Sequence, residues 1–79
     1  MEYYTLFFTQ SGAIKYSRFL AQRGINCELV PVPRKLSSGC GIAAKFQYHG
    51  DVRMLINDDV ERIYRRNGEE YTLAYETKE

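Results

Sequence analysis

The sequence predicts an α+β domain of the ferredoxin-like type, β-α-β-β-α-β, with a four-stranded antiparallel sheet and two helices on one face. Three observations predict it. Residues 3–9, 26–32, 42–48 and 71–75 are short runs rich in aromatic and β-branched side chains, the composition of strands. Residues 11–23 and 52–67 instead repeat apolar side chains every three or four positions, the period of a helix with one buried face. Gly24, Gly50, Gly68, Pro31 and Pro33 punctuate the junctions.

The first strand is apolar on both sides, with Tyr4, Leu6 and Phe8 on one face and Tyr3 and Phe7 on the other. Such a strand belongs in the middle of a sheet. Ser11 is placed to cap the first helix and Gly24 to stop it. Ala13, Tyr16, Ser17 and Leu20 share its inner face, with Ile25 packing after the stop. The second strand puts Cys27 and Leu29 on one face, Glu28 and Val30 on the other. Pro31 and Pro33 remove ladder donors, so this strand belongs at an edge. The third strand, 42–48, alternates Ile42, Ala44, Phe46 and Tyr48 against Ala43, Lys45 and Gln47. His49-Gly50-Asp51 reads as a turn. In the second helix Val52, Leu55, Ile56, Val60, Ile63 and Tyr64 form the stripe, interrupted at Asn57-Asp58-Asp59. Gly68 ends it, the last strand follows, and the tail 76–79 frays.

Seventy-nine residues suffice for one domain, 1–79. A formal net charge of +1 argues against a dedicated duplex-DNA binder. Residues 1–4 offer no basic leader and no long apolar run follows, so neither a signal peptide nor a membrane span is expected. Two cysteines outside any Cys-x-x-Cys point to free thiols in a reducing cytoplasm. With one histidine, no zinc site, and indeed no metal or cofactor, is expected.

Chemistry concentrates at Pro31-Val32-Pro33-Arg34-Lys35-Leu36-Ser37-Ser38-Gly39-Cys40-Gly41. A thiolate needs cations or hydrogen-bond donors, and Arg34, Lys35, Ser37, Ser38 and the amides of Gly39, Cys40 and Gly41 are the available ones. Cys40 is therefore the candidate reactive residue, and Arg34, Lys35, Ser37, Ser38, Gly39 and Gly41 its candidate binding residues. The flanking glycines keep bulk away from the sulfur. The competing reading makes Cys40 an inert loop residue beside solvated cations, and the spacing weighs the two evenly. Cys27 reads as a core residue. It lies at the far end of the second strand, too distant to bridge Cys40. His49 lies at the opposite end of the third strand from Cys40, so a Cys–His dyad within one chain is not expected. Arg62, Arg65 and Arg66 read as a solvated helix face. Tyr3, Phe7, Ala43 and Thr72 are the candidates for the sheet face without helices.

The pattern Pro31-x-Pro33-Arg34-x-x-Ser37-x-x-Cys40-Gly41, preceded by strand, helix and strand, resembles the small bacterial selenium/sulfur carrier-like domains. Tyr4-Thr5-Leu6-Phe7 and the helix from Ala13 share in the resemblance, which runs from Tyr4 to about Ile63. It implies a carrier or accessory protein, not an enzyme with its own turnover, holding a persulfide or selenide on Cys40 between donor and acceptor proteins. The chain lacks the Cys-Pro-x-Pro of Tus-type sulfur carriers. The alternative is a binding module using its open sheet face for protein docking, for a homodimer or for single-stranded RNA. Near-neutral charge weighs against nucleic acid, as does Ile42 where such strands carry an aromatic.

Overall fold

The computed structural model describes residues 1–36 and 39–78. Its elements are β1 (Glu2–Phe7), α1 (Gln10–Ala21), β2 (Cys27–Pro31), β3 (Ile42–Gln47), a single 3-10 turn (Val52–Leu55), β4 (Val60–Asn67) and β5 (Glu70–Glu76). The strands form one antiparallel sheet in the order β2-β3-β1-β4-β5. β1 lies in the middle, buried from Tyr3 to Phe7, and β2 is an edge, as the apolar doubling and the prolines required.

The expectation of four strands and two helices is wrong. Among the described residues the sheet has five strands and there is one α-helix. The segment expected to be the second helix becomes one 3-10 turn and the strand β4. Asn57 is the breaker: its side-chain oxygen accepts from the Asp59 amide at 3.0 Å, and its carbonyl accepts from the Val60 amide at 3.2 Å. Such local bonds compete with helix continuation. The helical spacing of Val60 and Ile63 has a different origin. Leu6 pairs with Arg62 while its neighbour Phe7 pairs with Val60, so Glu61 is an extra residue, a bulge. The bulge resets the alternation and puts Val60 and Ile63, three apart, on one sheet face. A second bulge at Ala74 lets Tyr71 and Tyr75 serve opposite faces. Gly68 stops no helix. It opens a two-residue hairpin between Asn67 and Glu70 with φ +65, a conformation for which glycine carries no Cβ penalty.

The front of the sheet holds the main core. Tyr3, Phe7, Ala44, Phe46 and Ile63 pack against Ala13, Tyr16 and Leu20 of α1 and against Val52 and Leu55 of the 3-10 turn. Tyr3 and Phe7 thus lie under the helix, not on the open face. Tyr16 is the hub. Its ring meets Phe7 at 5.2 Å, Phe19 at 5.6 Å and Phe46 at 6.3 Å, and its hydroxyl donates to the Leu55 carbonyl at 2.7 Å. That bond pins the β3–β4 crossover onto the helix layer. The helix itself is capped by Thr9, two residues before the expected Ser11: its hydroxyl accepts from the Gly12 amide at 3.0 Å.

The back of the sheet carries a smaller core of Tyr4, Leu6 and Ala43. Val30, Val32, Leu36, Tyr64 and Tyr71 pack around it. Val32 and Leu36 belong to the motif segment, so that segment folds across the back of the sheet.

Candidate functional site

The motif segment begins where β2 ends. The Val32 amide donates to the Gly41 carbonyl at 3.2 Å, which prolongs the β2–β3 ladder by one step. The chain then turns tightly, with the Leu36 amide on the Pro33 carbonyl at 2.9 Å. This turn sets Leu36 against Tyr4 and Leu6 and projects Arg34 and Lys35 along the back face. The Lys35 ammonium crosses to the β4–β5 hairpin and donates to the Glu69 carbonyl at 2.6 Å. Arg34 and Lys35 line a cleft of about 370 Å³ with Pro33, Arg66, Glu69 and Tyr71.

Cys40 lies on the other side of the sheet. It belongs to the front core with Phe7 and Ala13, at the amino end of α1, and is 9 % exposed. The Gln10 side-chain amide donates to the Cys40 carbonyl at 3.4 Å. The thiol itself donates to the Ile42 carbonyl at 3.4 Å, which turns the sulfur inward. Gly39 and Gly41 beside it are exposed, with open space where a side chain would stand. Gly41 takes φ +78, so its reason for being glycine is the backbone bend and not clearance around the sulfur.

The sheet therefore divides the motif. Gly39, Cys40 and Gly41 stand at its front rim, while Arg34 and Lys35 are held on its back. Ser37 and Ser38, the link between the halves, lie outside the described residues. Among the described residues, Gln10 and Glu69 bond to the motif and Arg66 and Tyr71 line a cleft with it, and sequence reasoning attached none of them to it. Gly68 carried the one available signal, since a glycine hairpin there would have brought Glu69 and Tyr71 beside β4.

Neither Cys27 nor Cys40 forms a disulfide. Cys27 pairs in register with Phe46 while Pro31 pairs with Ile42, so Cys27 lies at the end of β2 away from Cys40. It is half-buried and borders a cavity of about 480 Å³ with Gly24, Lys45 and Phe46. His49 follows β3, again at the end away from Cys40. Arg62 and Arg66 lie on β4 and make specific contacts there, Arg62 to the Tyr64 hydroxyl at 3.1 Å and Arg66 to Glu2 at 3.2 Å. No group of three metal-ligating side chains occurs among the described residues, and no helix among them is long and apolar enough to cross a membrane.

A family model described as "Putative Se/S carrier protein-like" matches residues 2–75. The chain belongs to this family. No curated protein and no solved structure matches it. The match covers β1 through nearly all of β5, so the motif segment and the β4–β5 hairpin that receives Lys35 are both parts of the Se/S carrier-like domain.

Proposed function

We propose that this domain carries sulfur or selenium on Cys40 and passes it between a donor and an acceptor protein. The observation that supports this best is the placement of Cys40. It is a thiol outside any disulfide, at the sheet rim, between two exposed glycines, on a segment anchored at both ends by β2 and β3. Loading is a thiol exchange. The Cys40 thiolate attacks the outer sulfur of a donor persulfide. A bond forms between Sγ and that sulfur, the donor's S–S bond breaks, and the donor thiolate leaves with the electron pair. No net oxidation occurs. An acceptor thiolate then repeats the exchange on the persulfide of Cys40. A donor carrying selenium outermost loads the residue by the same steps.

The resting sulfur points at the Ile42 carbonyl, so transfer requires that contact to open. Gly39 and Gly41 border empty space, which leaves room for the segment to turn the sulfur outward. Cysteines outside any disulfide suit a reducing compartment such as the cytoplasm. Intact-mass analysis after incubation with a small persulfide donor tests the assignment. The parent protein and Cys27→Ser gain the mass of one sulfur atom, and Cys40→Ser does not. A gain retained by Cys40→Ser would refute the site.

A further inference from the structure

We propose that the cleft between the 33–36 turn and the β4–β5 hairpin is a second binding site, one that takes a phosphate-type oxyanion. Its volume is about 370 Å³, enough for such a group beside the Tyr71 ring. Its cations come from two stretches of chain that only the fold brings together: Arg34 and Lys35 from the motif turn, and Arg66 from the end of β4.

The donors in this cleft are available. Arg34 is exposed and makes no hydrogen bond or ion pair among the described residues. Lys35 uses one of its three N–H groups on the Glu69 carbonyl, a neutral acceptor that leaves its charge uncompensated. Arg66 is fixed in place. Its Nε donates to the Gly68 carbonyl at 2.9 Å, and its Nη1 to Glu2 at 3.2 Å and to the Tyr4 hydroxyl at 3.5 Å. A guanidinium held in this way presents its remaining N–H groups in a set direction. The opposing charge is the Glu69 carboxylate, which lines the same cleft without an ion pair among the described residues. Cations outnumber carboxylates here even with Glu2 assigned to Arg66.

The Arg34 fork, the Lys35 ammonium and the Nη2 N–H groups left over on Arg66 match the oxygens of a phosphate group, to which arginine binds in bidentate fashion. The group can come as free phosphate or as a phosphate ester whose organic part lies on Tyr71. The site is independent of the carrier reading, because its residues lie across the sheet from Cys40.

An NMR titration of the whole protein with sodium phosphate, against sodium chloride at equal ionic strength, tests this. Saturable amide shifts are expected at residues 34–36 and 66–71 with phosphate only. Arg34→Gln weakens binding about tenfold. Glu69→Gln tightens it severalfold by removing the opposing charge, while Cys40→Ser leaves it unchanged. Both Gln variants replace exposed side chains, and their amide spectra report whether the fold is kept. Adenosine monophosphate separates the sources: tighter binding with shifts of the Tyr71 ring identifies an ester, and equal binding identifies the free anion. Identical shifts with chloride, or unchanged phosphate affinity in Arg34→Gln, would overturn the proposal.

Discussion

Replacing Tyr16 by phenylalanine tests how the helix layer is joined to the β3–β4 crossover. Tyr16 is 0 % exposed, and its hydroxyl bridges α1 to Leu55 across 39 residues of sequence. Burial pushes its pKa from 10.0 up to about 12, with the neighbouring Thr5 hydroxyl pulling the other way. Two consequences follow with opposite signs. At neutral pH the variant loses a buried hydrogen bond and leaves the Leu55 carbonyl without that donor, which costs about 1–2 kcal/mol. At high pH the parent carries a penalty that the variant escapes. A folded-state pKa raised above the unfolded one contributes stability that is complete below pH 10 and lost as pH rises through 12. Two pH units correspond to roughly 2.7 kcal/mol. The parent is therefore more stable at neutral pH and less stable, by about 1 kcal/mol, above pH 12. Urea unfolding of both proteins across this range, followed by circular dichroism, reads the crossing directly. The difference in phenolate absorbance between the two proteins gives the pKa itself. A constant offset at all pH values, or a Tyr16 phenol titrating with a free tyrosine, would refute the reasoning.

Other consequences concern the motif and the sheet. Lys35→Met removes the tie to the Glu69 carbonyl, worth about 1 kcal/mol, so iodoacetamide should label Cys40 about fivefold faster. An unchanged rate would mean that the back-face anchor does not control the rim. Gly41→Ala should cost about 1–2 kcal/mol in urea denaturation, because φ +78 crowds a Cβ against its own backbone. Gly39→Ala should lie within about 0.5 kcal/mol of the parent, since the space around it is open. Val60→Ala should cost about 2 kcal/mol in urea denaturation, because the bulge at Glu61 seats Val60 opposite Phe7 in the front core. Stability equal to the parent's would show that Val60 contributes nothing to that core.

The motif shows how far composition reaches. The sequence identifies an unusual segment and a single thiol in it, because both are chemical facts of residue type. It also suggests that Arg34 and Lys35, six and five positions before Cys40, attend the sulfur. Chain proximity of that order carries no information about which side of a sheet a side chain occupies. Here the tight turn at Pro33 and the packing of Leu36 on the back core take the cations to the back, while the Gln10 and Ile42 contacts hold Cys40 at the front. Glu69 and Tyr71 enter the picture only through the hairpin at Gly68.

What the amino-acid order determined by itself is local. The doubly apolar run at 3–7 makes β1 central, Pro31 and Pro33 confine β2 to an edge, and the Tyr16–Leu20 stripe makes one amphipathic helix. Such features depend on side-chain chemistry and on dihedral limits within a few residues. The identity of residues 52–67 was decided by the tertiary structure, because a bulged strand and a helix can both place apolar residues three apart. Backbone pairing with β1 and β5 on either side settles it: β4 gains two ladders and a buried Ile63. A helix there would satisfy its own hydrogen bonds but leave that side of β1 unpaired.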